Sequence, residues 1–337
     1  MKLVSYLRDD KNRAAIFYDD KYYDLKNSGR ELGIKLPGTM KKLLQQWDKY
    51  YPSAQLVQKA IEDGRVESHL SKVKLFSPVP EPPSCRDGYA FRQHVATARR
   101  NRGVEMIPEF DQYPVFYFTN HNAVFGEGEL IVEEDHLQKL DFELEAAVVI
   151  SRTGKNISSK IADEYIAGYM IMNDISARLL QMEEMKLNLG PAKGKDFATI
   201  CGPWLVTVDE LEEYKIKTEF GNKYNLSMKA YHNGKLISDG NMKDMNWSFA
   251  ELIERASYGV QLKPGDIIGS GTVGTGCYLE LNGTHTLEAK EKGLEFTPVW
   301  LQNGDTIELE IVGLGKLKNK IVKSPETNSI LKKKKNI

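Results

Sequence analysis

The run Asp141-Phe142-Glu143-Leu144-Glu145 sets two glutamates one residue apart just before the apolar stretch Ala146-Ala147-Val148-Val149-Ile150. Side chains alternate across a strand, so Glu143 and Glu145 share a face about 7 Å apart and can converge on one cation. Beyond them the run is apolar on both faces, as in a strand entering a core. Acids at the mouth of such a strand need compensation, which a hard cation supplies. The pattern does not decide the matter alone, because Ile307-Glu308-Leu309-Glu310-Ile311 has the same period and reads as a half-exposed strand with a wet face. Further acids give it force. Asp174 follows the apolar lead-in Ala167 to Ile171, where it either ends a strand or caps the helix carrying Leu179, Leu180 and Met182. Asp87 stands at the start of a helix expected over about residues 87–102. On such a helix His94 lies two turns away on the same face.

These residues need a frame. Short alternating segments around Leu3–Leu7, Ala14–Tyr18 and Lys21–Leu25 predict a small antiparallel sheet. Thr39 can cap a helix with Met40, Leu43, Leu44 and Trp47 inward, and a second helix follows through Leu56, Val57, Ala60 and Ile61. The proline-rich stretch 78–83 breaks all periodicity and marks a boundary. Strands are expected over 141–150, 226–232 and 306–312. Asn233-Gly234 predicts a hairpin, since both residues accept positive φ. Ser248 can cap a helix running to Tyr258. The pattern predicts a mainly β fold with some α content (α+β), divided into 1–78, 79–325 and a basic tail 326–337 that includes Lys332–Lys335.

Composition excludes several classes. The net charge of -1 offers no broad attraction to nucleic acid. No apolar run approaches the roughly 20 residues that span a bilayer, and the N-terminus reads straight into a strand rather than a signal peptide. Three widely spaced cysteines, Cys85, Cys201 and Cys277, form neither a disulfide framework nor a zinc pattern, so a cytoplasmic protein is expected.

Five segments, taken in order, resemble the fumarylacetoacetate hydrolase family. They are Asp87-Gly88-Tyr89-Ala90-Phe91-Arg92-Gln93-His94, Phe142-Glu143-Leu144-Glu145, Asn173-Asp174-Ile175-Ser176-Ala177-Arg178, Gly190-Pro191-Ala192-Lys193-Gly194-Lys195-Asp196-Phe197 and Gly269-Ser270-Gly271-Thr272. The resemblance implies a β-roll of mixed sheets with a small N-terminal α+β domain, assembled as a homodimer. It implies a divalent cation (Mg2+, with Ca2+ or Mn2+ as alternatives) on Asp87, Glu143, Glu145 and Asp174, with Lys195 and Thr199 beside it. Gly194 and Phe197 around Lys195 suggest a buried ammonium that offsets surplus negative charge. It further implies that His94, oriented by Glu280, activates water, and that Arg178, Gln181 and Lys195 stabilise an oxyanion. Tyr89, Tyr117 and Thr272 would hold the substrate, and a further substrate arginine falls among Arg99, Arg100 and Arg102. The expected reaction is hydrolysis of a carbon–carbon bond in a dioxo acid, as in aromatic amino acid catabolism. The alternatives are decarboxylation, isomerisation or sugar-acid dehydration on the same scaffold, or a non-catalytic cation-binding scaffold. Leu179-Leu180 departs from the family, which usually has an acid there.

Overall fold

The structure, a computed structural model, describes residues 1–9 and 11–333. Its centre is a ten-stranded mixed sheet. In spatial order the main path runs Lys21–Asp24, Lys11–Tyr18, Lys2–Arg8, Thr199–Thr207, Ile166–Asp174, Leu144–Ile150, Ile267–Gly269, Cys85–Gly88 and Phe116–Thr119. A five-stranded sheet, with Lys235–Asn241, Ser227–His232, Thr306–Ile311, Gly315–Lys323 and Gly128–Val132 in order, packs with it around one large apolar cluster. Helix Phe249–Ser257 buries Phe249, Leu252 and Ile253 in that cluster. This is the mixed α/β architecture with an N-terminal α+β subdomain that the sequence predicts.

Local chemistry explains many element ends. The Ser248 hydroxyl accepts from Glu251 N–H while the Glu251 carboxylate accepts from Ser248 N–H, a complete capping box. Thr39 caps Met40–Gln45, and the helix expected to run on to Trp47 restarts as Trp47–Glu62. Asn233 and Gly234, at φ 49° and 79°, make the predicted hairpin turn.

Four expectations change. The 87–102 helix begins only at Arg92, because Cys85–Gly88 is a strand paired on both edges, with Ile267–Gly269 and with Phe116–Thr119. The strand 141–150 is broken at Phe142–Glu143 into Leu140–Asp141 and Leu144–Ile150. Residues 1–78 carry their own helical layer but no separate sheet: Lys2–Arg8 pairs with Thr199–Thr207, and one apolar cluster joins Leu3, Leu43 and Trp47 to Ala147, Val149 and Met170. Finally, residues 329–331, expected in a tail, dock on buried Asp135, whose carboxylate accepts from Ser329 Oγ (2.8 Å), Ile330 N (2.7 Å) and Leu331 N (3.1 Å). Lys334 and Lys335 lie outside the described residues. Among the described residues, no helix is long and apolar enough to cross a membrane.

Candidate active site and cation centre

Adjacent strands of the large sheet bring four acids together. Glu145 lies on Leu144–Ile150, Asp174 ends the neighbouring Ile166–Asp174, and Asp87 lies on Cys85–Gly88, with the short strand Ile267–Gly269 between. Gly269 stands in register with Asp87 on one side and Ala147 on the other. A Cβ at Gly269 would sit 2.4 Å from Asp87 Oδ1, so the missing side chain is what lets the Asp87 carboxylate reach across that strand. The backbone N–H of Gly271 then holds Asp87 Oδ1 at 3.0 Å. Glu143 projects from the strand break, its backbone N–H donating to Asn173 Oδ1 (3.0 Å). The strand location of Asp174 decides between its two sequence readings: the following helix, Arg178–Met185, is preceded by Ala177 instead.

One carboxylate oxygen from each of Asp87, Glu143, Glu145 and Asp174 lies within 4.8 Å of the others, and all four residues are buried. Their electrostatics divide. Burial would raise the Glu143 carboxyl, but Lys195 and Arg178 outweigh it and hold the group at about 2. Lys195 Nζ donates to Glu143 and to Asp174 Oδ2 (2.7 Å), and Arg178 Nη2 donates to Glu143 Oε1 (2.8 Å). Burial lowers the Lys195 ammonium, yet the charges of Asp174 and Glu143 carry it above its usual range. Asp87 and Glu145 have no such partner. Burial, then the charge of Asp174, pushes Asp87 up to about 7; burial, then the charges of Asp87 and Glu143, pushes Glu145 well above the carboxylate range. Two deeply buried carboxylate oxygens, Glu145 Oε2 and Asp174 Oδ1, have no hydrogen-bond partner. Orphaned buried acceptors of this kind are costly, and an all-oxygen set around them fits a hard divalent cation.

Most of the remaining expected residues, His94 among them, line a cavity of about 630 Å³ together with Asp87 and Glu143. His94, on helix Arg92–Asn101, is joined through Nδ1 to Glu280 Oε2 at 2.6 Å. The other Glu280 oxygen accepts from Thr275 N–H (3.0 Å), so the carboxylate is fixed. Tyr89 meets the His94 ring edge-on at 6.0 Å and lines the cavity, as do Gln181 and Thr272. Gln181 Oε1 accepts from Arg178 Nη1 (2.9 Å). Thr199 stands opposite Asp174 in register, its hydroxyl 3.4 Å from that of Thr119. Tyr117 lines the cavity, but its hydroxyl donates to Asp174, which places it in the acid cluster. Of the three arginines only Arg102 lines the cavity; Arg99 bonds Glu105 O, and Arg100 bonds Thr284.

Three positions around this site were given no role in the sequence reading. Asp141, fully buried, accepts from Arg178 Nε (2.8 Å) and Leu279 N (2.9 Å) on one oxygen and from Tyr278 N (2.7 Å) on the other, the two backbone donors standing at the start of the helix that carries Glu280. Its parity with Glu143 and Glu145 was the available signal. Gly269 is the second. Cys277 is the third, fully buried with its Sγ within 4.8 Å of ligand atoms of His94 and Glu280. Two half-buried histidines outside this site have partners of their own: His136 stacks on Phe197 at 3.9 Å, and His232 Nε2 pairs with Asp305 (3.0 Å).

Comparison with known proteins follows the geometry. A family model described as fumarylacetoacetate (FAA) hydrolase C-terminal matches residues 84–322. The oxaloacetate tautomerase YisK of Bacillus subtilis is 32% identical, covering 91% of this chain and 94% of its own. The mitochondrial oxaloacetate tautomerase FAHD2B of Bos taurus is 30% identical over 85% and 81%. Among solved structures, a fumarylacetoacetate hydrolase from Exiguobacterium antarcticum has a TM-score of 0.65 at 23% identity, covering 96% of this chain and 100% of that one. Maleylpyruvate hydrolase from Sphingobium sp. SYK-6, in complex with manganese(II) and pyruvate, has a TM-score of 0.67 at 19% identity, with the same coverage. At those identities the structures speak for the fold.

Proposed function

The chain belongs to the fumarylacetoacetate hydrolase family, and from that premise we propose that it is a divalent-cation-dependent enzyme moving a proton between the enol and keto forms of a small 2-oxo acid of the oxaloacetate type. One observation carries the reading: His94, held by Glu280, lines the same cavity as Asp87 and Glu143 of the four-carboxylate cluster. The relatives that span most of this chain and carry the name oxaloacetate tautomerase support the choice of reaction.

Asp87, Glu143, Glu145 and Asp174 would hold the cation, which when bound supplies Lewis acidity toward the oxygens of a 2-oxo acid. Glu280 accepts from His94 Nδ1–H, which leaves the Nε2 lone pair for the cavity. That nitrogen takes the proton from the enol hydroxyl and returns a proton to the adjacent carbon, so no proton is gained or lost over the cycle. Arg178 and Lys195 place positive charge beside the developing enolate oxygen, with Asp141 and Glu143 fixing the guanidinium. Tyr89 and Thr272 bind the substrate carboxylate, and Arg102 supplies a second cationic contact.

Hydrolysis of a carbon–carbon bond in a 2,4-dioxo acid is the second reading. It is favoured by the same fixed base, which could take a proton from water as readily as from an enol. Both are tested by stripping the protein with a chelator, restoring Mg2+, and following enol-oxaloacetate absorbance alongside cleavage of acetylpyruvate. The expected result is cation-dependent loss of the enol well above the buffer rate, reduced ~100-fold or more in His94→Ala. Cleavage of acetylpyruvate without tautomerisation would establish the second reading; neither reaction would remove both.

A further inference from the structure

A four-carbon diacid would fill only the floor of a cavity of about 630 Å³. Helix Arg178–Met185 gives its length, because Arg178, Gln181, Met182 and Met185 all line it. At 1.5 Å per residue, Arg178 and Met185 are ~10 Å apart along that helix. The chemistry changes over the same distance. Arg178 is buried among carboxylates, whereas Met182 and Met185 are 37% and 44% exposed and present thioethers with no charged group. Helix Arg92–Asn101 lines the cavity with buried His94 and with Ala98 one turn on, and then with Asn101 and Arg102, which form a polar strip across from the methionines. Val115, Phe116, Pro298 and Trp300 complete an apolar outer wall. Large apolar side chains left accessible around a cavity continuous with a polar floor mark a surface that a ligand covers.

We infer that the site also takes, beyond the small oxo acid proposed above, a 2-oxo acid carrying an apolar tail of about four to six carbons, its head on the acid cluster and its tail along Met182 and Met185. This deepens the reading above and rests on it for the position of the head. Unbranched methionines suit such a tail, since they adapt to its shape at little cost. Occupancy of the outer wall also removes from water the apolar surface that the empty cavity exposes.

The test uses non-reacting mimics of the 2-oxo acid head: N-methyl-, N-butyl- and N-hexyloxamate, titrated calorimetrically into the Mg2+-loaded protein. Each methylene that becomes buried adds up to about fourfold in affinity. Methyl to hexyl adds five methylenes, so burial of about half of them gives an expected gain of about thirtyfold, and Met185→Glu cuts that ratio by about fourfold for each methylene it exposes. N-methyloxamate binding to the variant checks that its fold and head site survive. A flat series in the native protein, or an unchanged ratio in Met185→Glu, would overturn the tail site while leaving the enzymatic reading in place. Failure of every oxamate to bind would overturn both.

Discussion

Glu143-Leu144-Glu145 and Glu308-Leu309-Glu310 share spelling and spacing, but the fold treats them oppositely. In the second run the antiparallel neighbour places Lys318 opposite Glu308 and Lys316 opposite Glu310. The lysines are 60% and 57% exposed, and the ion pairs run from 3.3 to 3.9 Å. Each charge there meets its opposite in water. In the first run the neighbouring strands bring further acids instead, and the two cations that arrive, Lys195 and Arg178, serve Glu143 and Asp174 but leave Glu145 Oε2 alone. What separates a wet strand face from a buried acid cluster fit for a cation is therefore the identity of the cross-strand and long-range neighbours.

Several changes should break or sharpen that contrast. The largest effect is expected for Glu145→Gln. Losing even an outer partner of a ligand costs 10–100-fold in affinity, so losing a ligand should lower cation-dependent turnover by ~100-fold or more. Steady-state rates at graded Mg2+ check this. Lys195→Met leaves Glu143 and Asp174 buried without their ammonium and should cost ~3–5 kcal/mol in denaturant unfolding of the chelated protein. If added cation offsets much of that loss, Lys195 is a charge counterweight; if it offsets none, the ammonium acts mainly through packing.

Asp135 is an intermediate case, a buried acid satisfied by Ser329 and two backbone N–H groups. Burial pushes its carboxyl up, but these hydrogen bonds outweigh burial and bring it below the usual range. Its folded pKa lies below the unfolded ~3.9, so its stabilisation is complete above that pH and is lost as pH falls through the folded value. Asp135→Asn should cost ~1–3 kcal/mol at pH 7, and calorimetry should show the difference in Tm closing on acidification. The smallest effect belongs to Glu310→Gln, expected to change stability by under ~1 kcal/mol, because exposed pairs are worth little. A loss of several kcal/mol there would erase the distinction between the two runs.

The acids, Lys195 and Arg178 were legible because ordered short motifs carry them, and the Asn233-Gly234 turn and the Ser248 cap were legible because their chemistry is local. Asp87 was misread as helical because the pairing that makes it a strand comes from residues near 117 and 269, invisible to periodicity. Helix Tyr278–Glu291 gave no signal, with Gly283 in its interior and a polar sequence that shows no apolar stripe. The contacts of Asp141 likewise join residues 137 and 138 positions away. Proximity of that kind exists only once the sheet has closed.

The most direct measurement is calorimetric titration of Mn2+ into chelator-stripped native protein, Glu145→Gln and Glu310→Gln, side by side. One site per chain in the native protein and in Glu310→Gln, with binding lost or weakened ~100-fold in Glu145→Gln, is the expected result. Equal binding by all three proteins, or none by the native chain, would contradict a cation centre built on these acids.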